Sequence, residues 1–413
     1  MIFRIFNYLS FRIFFRAFFT NEKKIKKTAE SQIKTITKKN FFSFVGMGRT
    51  GLVLILRYLK KKDKKKNEII VQAYNLPGFL EIIEIEKFKI IFTDININNG
   101  VFSINEIEKK INSKTAAVIV TNMFNNFSQL LLLKKKLSKK KILLIEDNSI
   151  YFDNFNMDKL KKYSGQIGDY VILSFNIMKN ISAFYGGAVV HNSNEFKNFC
   201  NLELKKFEKF SIILLIKQIC IYFVLKLMAL NILYKFLFFR VIYFSDSFNI
   251  IFLKNIFYPS LRFIKKKQKK FLYQNISFFS KKIIYLQLLN KVDRKKNFLN
   301  RKLNNIYLDK QLQKNIHKLK KIKLLPINDY NFQNYLDFPL LVDDKNKFVN
   351  FMFKNGIEVR KFHYFNCEKF FSRKKNCKNS EYFEQKLICI PSHPNITKDY
   401  LNYILIKIKE YNN

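Results

Sequence analysis

The chain of 413 residues contains no tryptophan, and it has only 10 glycines, 6 prolines and 4 histidines. Its 5 cysteines are odd in number, and none of them forms a Cys-x-x-Cys pair. This usage excludes a disulfide-rich scaffold and a cysteine zinc site, and it indicates a reducing, cytoplasmic environment. The histidines share no metal-ligand spacing either, so we expect no metal site.

Acidic residues are also scarce, with 31 Asp and Glu against 76 Lys and Arg, which gives a formal net charge of +45. Such a balance favours nucleic acid or an anionic membrane as partner. The 47 phenylalanines and the abundant Lys, Asn and Ile are, however, typical of drift in an A/T-rich genome. The lysine runs at 60–66, 134–136 and 265–267 are typical of solvated loops. No nucleic-acid module accompanies them, so we expect no nucleic-acid partner.

A long uninterrupted apolar run is missing too, although a membrane-spanning helix needs about 20 such residues. The most apolar stretch, 207–264, is broken by Lys217, Lys226, Lys235 and Arg240. At about 100° per residue, successive lysines nine positions apart fall on opposite sides of a helix. We interpret this stretch as a hydrophobic helical insertion that touches the membrane interface with snorkelling lysines.

The N-terminal segment, 1–40, is rich in phenylalanine and carries Arg4, Arg12 and Arg16. Arginines within the apolar run and the lack of a small-residue cleavage site argue against a signal peptide. Two alternatives remain open for this segment. It is either a basic, aromatic helix lying on a membrane surface or a helix packed on the rest of the chain or on a second copy.

Between these segments, apolar runs typical of strands alternate with helical patterns. The strand-like runs are 69–71, 90–92, 117–120, 142–145, 171–175 and 188–190, and the helical ones are 52–59, 104–111 and 128–137. This alternation predicts an α/β fold with a mostly parallel sheet covered on both faces, and a ligand site at the carboxyl ends of its strands. A smaller C-terminal α/β domain is predicted from strands at 338–342 and 387–390 and helices at 345–355 and 398–410.

Two neighbouring predicted strands end in chemically distinctive side chains, which together suit the chemistry of one cofactor. Asp147 lies two residues after the apolar run 142–145. Ser174 lies near the end of the next strand-like run, 171–175, and Lys179 follows that run, before the pair Gly186-Gly187. Enzymes that use pyridoxal phosphate (PLP) need such residues. PLP enzymes keep the pyridine nitrogen protonated with a buried carboxylate and hold the cofactor covalently on a lysine. Asp147 and Lys179 suit these two roles.

A phosphate group needs backbone N–H groups at the start of a helix and a hydroxyl group. Gly48, Arg49 and Thr50 immediately precede the apolar helix 52–59 and supply such a helix start. Ser174 supplies the hydroxyl. We therefore predict that these four residues bind the cofactor phosphate.

In this order and spacing, the motifs resemble the DegT/DnrJ/StrS aminotransferases, which are fold-type I PLP enzymes that mostly act on nucleotide-linked keto sugars. The resemblance runs in collinear blocks from about residue 42 to the C-terminus. The blocks lie at 48–52, 68–74, 92–95, 104–111, 114–119, 144–147, 168–169, 174–180, 186–187, 338–342, 355–360 and 390–394.

This resemblance implies a PLP-dependent transferase of fold type I that works as a cytoplasmic homodimer. From the insertion 207–264 we further expect contact at the inner face of the membrane. It implies amino transfer from glutamate to a nucleotide-linked keto sugar in surface polysaccharide biosynthesis. Some relatives carry histidine in place of the lysine and act as dehydratases, so Lys179 favours transamination. Arg360 and His363 are candidate substrate contacts, with surface residues of the small domain as the equal alternative. The expected domains are 1–40 (extension), 41–206 (PLP-binding large domain), 207–264 (insertion), 265–302 (helical connection) and 303–413 (small domain).

Three positions depart from the family pattern. Ile150 replaces the usual glutamine or histidine at the ring oxygen, and Leu76 replaces the aromatic residue that stacks on the ring. Asn275 is out of register with the asparagine that relatives lend across the dimer, so we do not expect it to bind phosphate. These departures leave two alternatives: another PLP reaction or acceptor, or a membrane-associated partner of polysaccharide assembly that keeps the fold without turnover.

Overall fold

The computed structural model describes residues 1–124, 127–150, 152, 165–177, 179–248, 250, 266–326, 336–361, 363–373 and 375–412. Its strands, in chain order, are β1 (Phe41–Val45), β2 (Glu68–Gln72), β3 (Tyr74–Asn75), β4 (Lys89–Thr93), β5 (Thr115–Thr121), β6 (Leu143–Asp147), β7 (Tyr170–Ser174), β8 (Gly187–His191), β9 (Ile322–Leu324), β10 (Asp337–Val342), β11 (Phe365–Asn366) and β12 (Leu387–Pro391).

A seven-stranded sheet in the order β1-β8-β7-β6-β5-β2-β4 forms the centre of the large domain. The neighbours from β7 to β4 are parallel, whereas β8 runs antiparallel to both β1 and β7. Strands β2, β5 and β8 are buried along their whole length. Their Val-rich and Ile-rich sequences suit a sheet that is covered on both faces. The predicted α/β fold with a mostly parallel sheet is confirmed.

The helices are α1 (Phe11–Phe19), α2 (Glu22–Thr37), α3 (Gly48–Lys62), α4 (Pro77–Ile85), α5 (Ile104–Lys110), α6 (Phe127–Lys139), α7 (Asn194–Lys205), α8 (Ile212–Met228), α9 (Asn231–Leu233), α10 (Phe239–Ser247), α11 (Phe278–Leu289), α12 (Lys291–Gln313), α13 (Lys345–Lys354), α14 (Glu368–Phe371), α15 (Lys378–Lys386) and α16 (Lys398–Asn412). Helices α3, α4 and α7 pack on one face of the sheet through Leu54, Ile83 and Phe196. Helices α5 and α6 cover another part of it through Ile107 and Leu133.

The C-terminal part is built on a second, antiparallel sheet in the order β12-β10-β9. It meets the large domain directly, because β11 pairs with β3 between Phe365 and Asn75. Helix α12 runs without a break through residues 302 and 303, where the sequence suggested a boundary. The small domain is therefore continuous with the preceding helix, and its 365–366 segment lies at the carboxyl edge of the large sheet.

The N-terminal segment packs on its own chain, which is one of the two alternatives left open by the sequence. Phe14 of α1 is buried and lies 5.2 Å, centroid to centroid, from the ring of Tyr222 in α8. Further upstream, Arg4 forms a buried ion pair with Glu358 at 3.2 Å. The aromatic residues of this segment thus contribute to the core on one side of α1.

Candidate active site

The turn after β7 positions Lys179. The Ala183 N–H donates to the Phe175 carbonyl at 2.7 Å, and the Lys179 N–H donates to the Asn176 carbonyl at 2.9 Å. The Ser182 hydroxyl donates to the Lys179 carbonyl at 2.6 Å. These bonds fix the backbone of the lysine immediately beyond the end of the strand.

A second set of contacts holds the neighbouring residue, Asn180. Its side-chain carbonyl accepts a hydrogen bond from the guanidinium of Arg301. The same guanidinium donates to the Tyr8 hydroxyl at 2.9 Å. Through Arg301, the lysine turn is therefore connected to the N-terminal segment.

The charges around Lys179 set its protonation. Burial lowers the pKa of Lys179 to about 8, with Asp147 opposing that change and Arg360 adding to it. Burial raises the pKa of Asp147, and hydrogen bonds from Ser149 and the charge of Lys179 oppose this shift. The structure therefore places an amine with a lowered pKa close to a carboxylate and a guanidinium.

Asp147 is the last residue of β6, and it lies at an edge lined by polar side chains. Its register partner is Thr121 at the end of β5. The Thr121 hydroxyl accepts a hydrogen bond from the Asn75 side-chain amide at 3.0 Å. The backbone N–H of Thr121 donates to the side-chain carbonyl of Gln72 at 2.9 Å. Sequence reasoning missed Thr121, Asn75 and Gln72, although each of them lies at or just beyond a strand end.

The start of α3 offers a site for an anion. The residue before the helix, Met47, provides no side-chain cap, and no acidic residue lies in the first turn. The N–H groups of an uncapped first turn attract anions. A Cβ atom added to Gly48 would lie 3.3 Å from the Cβ of Ser174, so the helix start and the predicted hydroxyl are adjacent.

Two more side chains of this turn fit a phosphate group. The Thr50 hydroxyl is buried and has no hydrogen-bond partner among the described residues. Burial lowers the pKa of the Arg49 guanidinium, an effect that Tyr185 and Glu81 oppose. An orphaned hydroxyl and a desolvated cation beside a helix N-terminus suit a bound phosphate, because an anion would satisfy both.

The two small-domain residues predicted as substrate contacts lie beside the lysine. Arg360 pairs with Asp337 at 2.7 Å, while its Nε atom has no hydrogen-bond partner among the described residues. The pKa of His363 falls well below its usual value because of burial and the nearby cations Arg360, Lys345 and Lys179. The His363 ring is therefore neutral, and its buried Nδ1 atom is unpaired in the described part of the chain.

The positions that depart from the family pattern have roles within their own chain. Ile150 is 9% exposed and packs in the core, and Leu76 is half-buried at the start of α4. The Asn275 amide donates to the Leu204 and Phe207 carbonyls, both at 3.1 Å. Asn275 is thus engaged within its own chain.

Sequence reasoning also missed Tyr364. Its ring lies 4.5 Å, centroid to centroid, from that of His363. Burial raises the pKa of its hydroxyl, and the charge of Asp147 adds to that effect. Tyr364 therefore brings an aromatic ring from the small domain close to the Asp147 carboxylate. The sequence had not identified which aromatic residue stacks on the cofactor ring.

Comparison with known proteins gives the same family as the motifs of the sequence. Residues 16–209 match the DegT/DnrJ/EryC1/StrS aminotransferase family. A dTDP-4-amino-4,6-dideoxy-D-glucose transaminase from Shigella dysenteriae is 24% identical over 182 residues, which are 43% of this chain and 47% of that protein. The chain thus spans less than half the length of this curated relative. The family resemblance seen in the motifs is confirmed.

Solved structures extend the likeness to the whole chain at the level of the fold. The Helicobacter pylori aminotransferase PseC, involved in pseudaminic acid biosynthesis, superposes with a TM-score of 0.72 at 14% identity, covering 100% of this chain and 99% of that one. The E. coli GDP-4-keto-6-deoxy-D-mannose-3-dehydratase with bound hydrated PLP gives 0.69 at 17% identity, covering 100% of both chains. The fold type predicted from the sequence is confirmed.

Proposed function

We propose that this protein is a PLP-dependent aminotransferase, like the DegT/DnrJ/EryC1/StrS family that residues 16–209 match. We propose glutamate as the amino donor and a keto group on a nucleotide-linked sugar as the acceptor. The observation that carries the proposal is the convergence of Lys179, Asp147 and Arg360 at the carboxyl ends of β6 and β7.

When bound, PLP supplies an electron sink that stabilises negative charge at the α-carbon of the donor. The residues of the chain supply the proton chemistry. Because the pKa of Lys179 is lowered to about 8, its amine is able to accept a proton at neutral pH and return it to an adjacent carbon. Asp147 would hold a proton on the ring nitrogen.

The remaining site residues bind and orient. Gly48, Arg49 and Thr50 at the start of α3, together with Ser174, would hold the phosphate. Arg360 would receive the donor carboxylate through its unpaired Nε while Asp337 keeps it in place. His363, being neutral, would donate or accept a hydrogen bond at the substrate without adding charge.

The cellular setting is part of the same proposal. A nucleotide-linked amino sugar is a building block of surface polysaccharides, which are assembled from cytoplasmic precursors. We therefore place the enzyme in the cytoplasm, as a homodimer, in the synthesis of such a precursor. Its domains would be those given by the sequence, with the small domain continuous with α12.

The test is a pair of half-reactions on the full chain. The PLP-loaded protein is mixed with L-glutamate, and one equivalent of 2-oxoglutarate is expected per active site. The aminated protein is then offered a panel of nucleotide-linked keto sugars, and return of the original absorption spectrum identifies the acceptor. As a control, Lys354→Ala at an exposed position on α13 should leave both half-reactions unchanged.

Failure would have two distinguishable forms. If PLP binds but glutamate yields no 2-oxoglutarate, the site serves a different reaction or donor, as Ile150 and Leu76 permit. If PLP does not bind, the protein keeps the fold without turnover and the aminotransferase proposal is wrong.

A further inference from the structure

Helix α8 is apolar on its outward side as well as on its inward side. Inward, Leu215 and Leu225 pack against the core. Outward, Ile213, Ile216 and Phe223 are 82%, 56% and 38% exposed. A surface helix of a soluble domain places apolar residues inward and polar residues outward. The outward side of α8 therefore lacks the polar character that water would require.

This surface continues onto α1, a helix from the far end of the sequence. The ring of Phe11 lies 6.1 Å from that of Phe223, and Phe19, at the end of α1, is 91% exposed. On the other side it continues onto α9 and the π-helix Tyr234–Phe238, where Ile232 and Phe236 are 73% and 59% exposed. We refer to the outward sides of α1, α8, α9, this π-helix and the first turn of α10, which carries Arg240, as the apolar face.

The charges on the apolar face are all of one sign. No Asp or Glu occurs in residues 1–21 or 209–244. Arg12, Arg16, Lys217, Lys235 and Arg240 are all exposed there. Large exposed apolar patches mark binding surfaces, and cations without acidic neighbours select an anionic partner.

The helices lie flat against the protein instead of standing free as a span. Among the described residues, no single helix is long and apolar enough to cross a membrane. The helices Ile212–Met228 and Asn231–Ser245 reach the length and composition of a span only when taken together, and they are bent by 84° where they meet. Both members are anchored by their inner sides, because Tyr222 and Tyr234 are fully buried. This arrangement suits helices that lie in the plane of a membrane interface.

We propose that the apolar face docks on the surface of an anionic lipid bilayer, with its phenylalanines and isoleucines below the headgroups and its arginines and lysines among them. This docking is independent of amino transfer. A second copy of the chain fits less well as the occupant. An isologous interface would bring the same cations against each other with no acidic residue from this face to pair them.

The test is flotation of the full-length protein with vesicles. Wild-type protein should float with phosphatidylcholine vesicles that contain phosphatidylserine, and less with phosphatidylcholine alone or at high salt. Phe19→Ser, Ile213→Ser and Ile232→Ser together should lower the partition coefficient at least tenfold, because burying one such side chain contributes roughly 1.5–3 kcal/mol, or about tenfold or more. Since these side chains are 91%, 82% and 73% exposed, the fold should be unaffected.

A matched control uses exposed apolar residues on other helices. Leu132→Ser, Leu303→Ser and Ile406→Ser, at positions 48%, 61% and 53% exposed, should leave flotation unchanged. A third variant, Arg12→Gln with Lys217→Gln and Arg240→Gln, isolates the charge. Each cation near an anionic leaflet contributes about 1 kcal/mol, or about fivefold, so this variant should lose on the order of a hundredfold on anionic vesicles and little on neutral ones.

Two results would overturn the proposal. One is that wild-type protein does not float, or that the apolar-face variant and its control float equally. The other is that lipid has no effect while the apolar-face substitutions convert a dimer into a monomer in sedimentation equilibrium, which would make this surface a contact between copies of the chain.

Discussion

At the scale of single residues, the protonation of Lys179 reflects two opposing neighbours. Burial lowers its pKa to about 8, while Asp147 opposes this shift and Arg360 adds to it. Only the neutral amine is nucleophilic, so the rate of covalent PLP attachment should rise with pH through this value. Substitution of either neighbour should therefore shift the pH at which the rate of PLP attachment is half-maximal, in opposite directions for the two.

Arg360→Gln removes a cation that lowers the pKa of Lys179, so the midpoint of PLP attachment should move to higher pH. Asp147→Asn removes an anion that raises it, so the midpoint should move to lower pH. Stopped-flow absorbance of the apoprotein mixed with PLP, measured across the pH range, would follow both shifts. Identical midpoints in all three proteins would mean that these charges do not act on the lysine.

Asp147→Asn should also separate attachment from turnover. PLP should still become bound to Lys179, but the ring nitrogen would no longer be held protonated, and the rate of the glutamate half-reaction should fall by at least about a hundredfold. Single-turnover kinetics with saturating glutamate would measure this. A variant that retains the wild-type rate would exclude Asp147 as the partner of the ring nitrogen.

The sequence predicted Lys179, Asp147, Ser174 and Gly48, because motif order alone indicates that they share a strand edge. Thr121 and Tyr364 could not be found in the same way. Thr121 reaches the site only because β5 pairs with β6, and Tyr364 only because β11 pairs with β3. Both depend on tertiary contacts that no local pattern encodes.

At the scale of secondary structure, the phosphate turn depends on the close approach of two backbones. A Cβ atom at Gly187, the first residue of β8, would lie 2.6 Å from the Gly48 nitrogen. Gly187→Ala should therefore displace the start of α3 and weaken PLP binding strongly. Gly48→Ala, whose Cβ would meet its nearest neighbours at 3.3 Å, should weaken it less. Titration with PLP would rank the two variants, and the reverse order would argue against this turn as the phosphate site.

The packing of α1 can be tested with two adjacent phenylalanines. Phe14 is 3% exposed, whereas Phe15 is 53% exposed. Phe14→Ala should lower the free energy of unfolding by about 3–5 kcal/mol, because it leaves a cavity against Tyr222 and Phe184. Phe15→Ala should cost less than about 1 kcal/mol. Urea denaturation would compare the two, and equal losses would contradict the packing of α1.

Hydrophobic periodicity predicted the longer strands of both sheets and the helices α3, α5, α6, α13 and α16, because these segments have buried, repetitive sequences. It did not predict β1, β3, β9 or β11, nor the helices α4, α7, α14 and α15. The partner of β1, β8, lies far along the chain. Periodicity also could not decide whether α1 packs on the protein or lies on a membrane. In a sequence that is apolar all round, the inward and outward sides of a helix look alike. The helix α12, which continues through residue 302, likewise carries no local signal at the proposed boundary.

At the scale of the whole molecule, one buried carboxylate joins three distant segments. Glu358 of the small domain pairs with Arg4 of the N-terminal segment and accepts a hydrogen bond from the Tyr234 hydroxyl at 2.7 Å. The N-terminal segment, the helices behind the apolar face and the small domain are thus fastened together. Docking at a membrane and catalysis would occur on one connected body.

The central claim is that Lys179 holds PLP. The direct measurement is the visible absorption spectrum of the purified full-length protein given PLP, beside Lys179→Ala, before and after borohydride reduction. We expect an absorption band at longer wavelength than that of free PLP, and this band should be missing from the variant. Borohydride should attach the cofactor permanently to the peptide that contains Lys179. A band of equal size in Lys179→Ala, or no band in either protein, would contradict the account.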